Sequence, residues 1–266
     1  MKPIIRNIPL EPIKTKRIKI LSAGGVIAVF LICFLNLNID LIKLGTGFDQ
    51  AIFTMKKFMD IDWSIFASVM KGMLTSITIA FTATVISTCV ALPISFLAAS
   101  NLTWSNRIST FLKAFVAILR SVPTLVWGLM VIASMGFGNI GGVLTLVFIL
   151  NCFLIRSFTA SIEEVGTDII EALKSSGSPW ICIAVLGILP MAFSSMLAWI
   201  AISFEMAVSA SISLGMIGVT GVGKILISSL SQYKYGQVTV GILVIFVTMY
   251  IVEMSTIKVK RALKKG

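Results

Sequence analysis

The chain has 266 residues, of which 57% are hydrophobic and 12% charged, with a mean hydropathy of +1.02. Soluble domains carry about 25% charged residues, so this composition excludes a soluble globular class. The net charge is +11, but six basic residues lie in residues 1–19 and five in 258–265. Charge gathered in two tails around an apolar middle excludes a nucleic-acid-binding face and marks the cytoplasmic ends of a membrane protein.

A spanning helix needs about 20 apolar residues. Six stretches qualify in chain order: 20–39, 73–99, 121–137 (extended back to 111), 140–158, 181–208 and 238–257. The expected fold class is therefore an all-α integral membrane protein of about six transmembrane helices. The first stretch follows Lys14, Lys16, Arg17 and Lys19 as a signal peptide would, yet no small-residue cleavage site precedes Asn36, Asn38 and Asp40. It reads as a retained helix.

Six spans with two basic tails put both termini in the cytoplasm of a bacterial-type cytoplasmic membrane. The layout is then a basic tail over 1–19, a first helix over 20–39, and an external loop over 40–72. A helical core follows over 73–257 with a cytoplasmic loop at 160–179, and a basic tail over 258–266. Membrane lipid is the surrounding solvent.

Enzyme chemistry has little to work with. Histidine is absent, which removes Ser–His and Cys–His catalysis and every His-based metal site. Cys33, Cys89, Cys152 and Cys182 stand singly in apolar sequence, with no CxxC pair. No catalytic residue, metal or cofactor is expected, and no filter-like segment suggests a channel.

The most informative stretch is Glu163 to Pro190. Asp168 can cap a short helix, with Glu171 three residues later completing a capping-box-like pair. Ile169, Ile170 and Leu173 supply a narrow apolar face, Gly177 sits as a C′ residue, and Pro179 stops continuation. Such a helix is either an interfacial brace or a docking element.

Glu171-Ala172, then Gly177, then Ile188-Leu189-Pro190 resembles the EAA signature of ABC importer permeases, with Leu173 in place of the second alanine and no spacer between Ile188 and Leu189. The resemblance implies a type I importer fold and a coupling helix in this loop. Asp168, Glu171, Ala172 and Gly177 would then contact a cytoplasmic ABC ATPase dimer. It further implies an extracytoplasmic substrate-binding protein and a second permease chain, identical or paralogous.

The segment Arg120-Ser121-Val122-Pro123-Thr124-Leu125-Val126-Trp127 resembles the phosphonate-type branch. So do Asp62-Trp63-Ser64, Ala91-Leu92-Pro93, and Phe204-Glu205 followed by Gly215, Gly218, Gly221 and Gly223. Branch members often carry an arginine where Ser209 stands and an acid where Thr124 stands. The implied cargo is a phosphonate or related phosphorus oxyanion; methionine or another small solute is the alternative. ATP would be hydrolysed on a partner chain.

Three features have competing explanations. Gly218 to Lys224 satisfies GxxxxGK, but Ile225 occupies the place where Ser or Thr must hold magnesium, so a glycine-rich turn or tight helix contact is expected instead. Lys113 and Arg120 share one helical face, as expected if that helix lies in the interface before Pro123 bends the chain into the third span. Glu205 is the only acid between Glu171 and Glu253. It reads as a structural pairing partner or, with the glycines, as part of a gate or subunit interface.

Overall fold

The computed structural model describes residues 13–37 and 41–265, all helix and turn with no strand among them. The chain divides into two units, 1–56 and 57–266. The first holds α1 (Ile13–Asn36) and most of α2 (Leu41–Met59). A stretch expected to be loop is thus largely helical: Phe48, Ile52, Met55 and Met59 recur at helical spacing along α2. The basic tail expected over 1–19 lies partly outside the described residues.

The second unit is a bundle. After a short 3₁₀ turn it comprises α3 (Phe66–Ala98), α4 (Asn106–Ser121), α5 (Thr124–Met135), α6 (Asn139–Glu163) and α7 (Thr167–Ser175). Then come α8 (Trp180–Cys182), a π-helical segment (Ile183–Ile188), α9 (Leu189–Gly215), α10 (Val222–Ser231) and α11 (Tyr235–Lys265). Five helices among the described residues are long and apolar enough to cross a membrane, or six if the bent pair α4–α5 forms one span.

Two buried clusters lie at successive levels of this bundle. One gathers Phe96, Phe158, Ile162, Ile170 and Ile188; the other gathers Met73, Leu146, Leu150, Leu214 and Val222. Helices α3, α6 and α9 contribute to both. The inner face of α3 is a ridge of small residues: Gly72, Ser76, Ala80, Ala83, Ser87, Ala91, Ser95 and Ala98 are all buried. Lipid and protein interiors are similarly apolar, so close approach and hydrogen bonding replace the hydrophobic drive between such helices. Accordingly, the Ser87 hydroxyl donates to the Val147 carbonyl on α6 at 3.2 Å.

Span boundaries differ from expectation in informative ways. Helix α3 starts at Phe66 and carries Lys71 within it, exposed at the helix surface, where a charge limit had begun the span at Met73. The third span does not extend straight back to 111: α4 and α5 meet at 86° across Val122 and Pro123, the bend expected at this proline. Val122 is extended, as a residue before proline tends to be. Trp127 Nε1 donates to the Leu119 carbonyl at 3.1 Å across the bend, satisfying a group the broken ladder leaves open.

The fifth span starts at Trp180, passes through the π-helical segment and runs on to Gly215, well past 208. That segment immediately precedes Pro190, whose ring would crowd the carbonyl four residues back; a widened turn relieves the conflict.

Candidate coupling helix and translocation face

Helix α7 is built to be firm on one side and free on the other. Its N-cap is Gly166, with no side-chain cap hydrogen bond, which corrects the expected capping box. The helix starts at Thr167, two residues earlier than that box requires. Asp168 therefore stands inside the first turn, where the helix dipole still favours an acid, and Lys174 stands favourably in the last.

The C-terminus follows expectation. Gly177 has φ +77°, its N–H donates to Lys174 O at 3.0 Å, and the Ser178 N–H donates to Leu173 O at 3.2 Å. This pair of bonds is a Schellman closure.

Ile170 is buried to 1% exposure in the first core cluster, and Leu173 packs beside it. Ile169, expected on the same face, is exposed. A Cβ on Gly187 would crowd Leu173 Cδ1. The larger third residue of the EAA-like run is thus seated over a glycine of the π-helical segment. Asp168, Glu171, Ala172 and Gly177 are all exposed.

The turn between α3 and α4 stiffens this end of the bundle. Asn101 Nδ2 donates to the carbonyls of Ile162 at 2.9 Å and Val165 at 3.3 Å. Trp180 Nε1 donates to Leu102 O at 3.0 Å, and its ring lies 5.2 Å from that of Trp104. Glu163 Oε1 accepts from the Ser100 N–H, the Ser100 hydroxyl and Lys113 Nζ.

At the other end the four glycines pack within the chain. A Cβ on Gly223 would overlap the Ile212 carbonyl, and one on Gly215 would press on the Gly223 and Lys224 backbone. Gly218 and Gly221 take φ of +110° and +141° against Phe137 and Ser76. The Val222 N–H, opening α10, donates to Ser76 Oγ at 3.2 Å. The GxxxxGK run therefore follows a helix and forms a tight helix–helix contact, with no strand before it. Helix α10, at 10 residues, was hidden in the sequence because it is too short to register as a span.

Asp62 ties the start of α3 to α11. It caps the 3₁₀ turn by accepting from the Ser64 N–H at 3.0 Å and accepts from Gln237 Nε2 at 2.9 Å. These bonds, from Ser64 first and Gln237 next, hold its carboxyl below the usual carboxylate range.

Glu205 is separated from the glycines. It lies ten residues before the end of α9 at Gly215, about 15 Å along the helix axis, so its expected place near the outer end is corrected. It lines a recess of about 580 Å³ with Thr124, Leu125, Met206, Ser209 and Ser213. The two positions where the chain departs from the phosphonate-type pattern, Thr124 and Ser209, thus meet at one place with Glu205.

A second recess of about 230 Å³ shares Thr124 and Met206 with the first and adds Arg120, Trp127, Phe148 and Phe153. A third, of about 290 Å³, shares Arg120 and is lined by Lys113, Arg156, Thr159 and Glu163. Neighbouring recesses share lining residues, in the order of a hydroxyl-rich recess with one acid, an aromatic middle and a cationic end. Sequence spacing could not assemble this series, since its residues come from α3, α4, α5, α6, α9 and α11.

Comparison with known proteins agrees with this architecture. Residues 91–259 match the family described as "Binding-protein-dependent transport system inner membrane component". The phosphite transport system permease protein PtxC of Stutzerimonas stutzeri is 26% identical over 225 residues, 85% of this chain and 82% of that one. The phosphate-import permease protein PhnE of Mycolicibacterium smegmatis is 26% identical over 256 residues, 94% of this chain; the chain spans 48% of that protein's length. Among solved structures, the inward-facing MetNI methionine ABC transporter superposes with a TM-score of 0.68 at 17% identity, covering 76% of this chain and 99% of that one, a likeness of fold. With well over half its length matched, the chain belongs to the inner-membrane permease subunits of binding-protein-dependent ABC importers.

Proposed function

We propose that this permease imports a phosphorus oxyanion, phosphite or a phosphonate, using ATP hydrolysed by a separate subunit. The observation that carries the reading is the similarity to the phosphite permease PtxC over most of both chains. The likeness to a methionine transporter is one of fold alone, so it lends methionine no equal weight.

In this reading the exposed face of α7, with Asp168, Glu171, Ala172 and Gly177, seats in a cytoplasmic ABC ATPase dimer. The firm attachment of its other face through Ile170 suits a part that must transmit motion. Both termini are cytoplasmic, and the loop 160–179 is the coupling loop. An extracytoplasmic binding protein delivers cargo at the end that carries α10. A second permease chain, identical or paralogous, faces the three-recess surface and completes the path, with Glu205 as part of the gate or subunit interface; the Gly215–Gly223 contact braces the α10 end behind it.

Growth tests the cargo. Deletion should abolish growth on phosphite or methylphosphonate as sole phosphorus source while leaving growth on ample phosphate intact. Unimpaired growth on both, together with lost methionine uptake, would transfer the assignment to methionine. Topology is tested by single cysteines at Thr15 and Gly266 in a cysteine-free chain, both expected to resist an impermeant thiol reagent added outside.

A further inference from the structure

The cationic end of the recess series holds more positive charge than the chain neutralises. Lys113 on α4 and Arg156 on α6 face one cavity of about 290 Å³ with Arg120 and Glu163. At roughly 30 Å³ per water, it has room for about ten waters. The carboxylate is already engaged: its Oε1 accepts from Lys113 Nζ at 2.6 Å and from both donors of Ser100.

Arg120 and Arg156 have no ion pair and no side-chain hydrogen bond among the described residues. The remaining lining is small or apolar, with Ala98, Val116, Ala117 and Ile155. Its one neutral hydroxyl, on Thr159, is turned to Ser95 O.

Snorkelling explains a single arginine at a helix end. It does not explain two exposed arginines from different helices lining one cavity whose only acid has its Oε1 engaged by Lys113. A planar guanidinium presents paired N–H donors that match the oxygens of a phosphate or phosphonate, and apolar walls strengthen the attraction. Arg120 also lines the neighbouring recess with Thr124 and Met206, so the two recesses share this residue.

We infer that Arg120 and Arg156 form an anion site that grips a tetrahedral phosphorus oxyanion. The ion arrives free or as the headgroup of an anionic lipid. The Lys113–Glu163 pair stands at its edge and keeps Lys113 from competing for the anion. The free-ion source rests on the oxyanion-import reading; the site itself does not.

The test uses the complete transporter, permease with its ATPase, in nanodiscs. Wild type, Arg120→Gln/Arg156→Gln and an Arg107→Gln control are prepared in phosphatidylcholine alone and in phosphatidylcholine with phosphatidylglycerol. Equilibrium binding of methylphosphonate and of inorganic phosphate is measured in the neutral discs, and retained phosphatidylglycerol is counted by mass spectrometry in the mixed ones.

Each lost guanidinium should weaken binding roughly tenfold. Loss of methylphosphonate or phosphate binding in neutral discs identifies the free ion. Loss of retained phosphatidylglycerol, with no anion binding by wild type, identifies the lipid. Should the double glutamine variant fail to assemble, Arg120→Lys/Arg156→Lys keeps the charge but loses the paired donors, and partial weakening is expected. Unchanged binding of both anions and lipid in the substituted transporters overturns the site. A wild type that binds methylphosphonate but imports neither it nor phosphite would overturn the import reading and leave the site standing.

Discussion

Glycine serves opposite purposes at the two ends of this bundle. At Gly177 a Cβ would meet nothing within 4 Å, and the residue is needed for its φ of +77°, which closes α7 and leaves its outer face open. At Gly223 the backbone of α9 lies so close that any side chain would overlap the Ile212 carbonyl. In the proposed function the first glycine shapes a surface for the ATPase, whereas the second holds the chain to itself. The proposed function therefore predicts that the two ends part company when perturbed: damage at the α10 end should destabilise the protein, and damage at the α7 end should uncouple it.

Gly223→Ala should give the largest loss of stability. Forcing atoms into a packed contact costs about 1–3 kcal/mol, and here the obstacle is backbone that cannot rotate away. The expected outcome is sharply reduced recovery of monodisperse protein in detergent and a lowered melting temperature. A normal yield and melting temperature would erase the distinction between the ends.

Gly177→Asp should cost about 1 kcal/mol of stability, the penalty for a side chain in the left-handed region, while abolishing uptake and releasing the ATPase on purification. Gly177→Ala carries the same backbone penalty without the charge, so it separates strain from surface disruption. Retained uptake in the aspartate variant would reduce α7 to a brace.

Trp127→Phe tests the bend between the two ends. It keeps the ring against Phe148, whose centroid lies 4.2 Å away, but removes the donor to Leu119. The expected loss is about 1 kcal/mol, read as a small drop in melting temperature with the ATPase still bound.

The smallest effect is expected from Asp62. Its folded-state carboxyl titrates below the ordinary range because Ser64 and Gln237 donate to the charged form. Its contribution to stability is therefore full above the ordinary carboxylate range and lost as pH falls through the lowered folded value. Asp62→Asn should lower the melting temperature slightly near neutrality and leave it unchanged at acid pH, which flattens the acid side of the profile. A loss equal at neutral and acid pH would mean that charge at Asp62 is irrelevant.

Much of this was legible in the chain. Hydropathy located the spans, Pro123 the break that α4 and α5 make at 86°, and Gly177 with Pro179 the end of α7. The misses have physical causes. Lys71 concealed the first turns of α3, since a hydropathy reading stops at a charge that a helix surface tolerates. The capping box failed because Gly166 takes the extended N-cap conformation one residue before Thr167. Helix α10 and the recess series depend on tertiary approach: Ser76 holding the Val222 N–H, and Arg120 meeting Arg156 from another helix. No local periodicity carries that information.

The central claim is that α7 is the surface this permease offers to its ATPase. Its most direct test is a cross-link from Ala172→Cys, on the exposed face of α7, in a chain whose four native cysteines are replaced, with a matched Ser228→Cys on α10 at the other end. The account predicts that a short bifunctional thiol reagent joins the ATPase to the α7 variant and leaves the α10 variant unlinked. ATPase joined to the α10 variant, with the α7 variant unlinked, would contradict it.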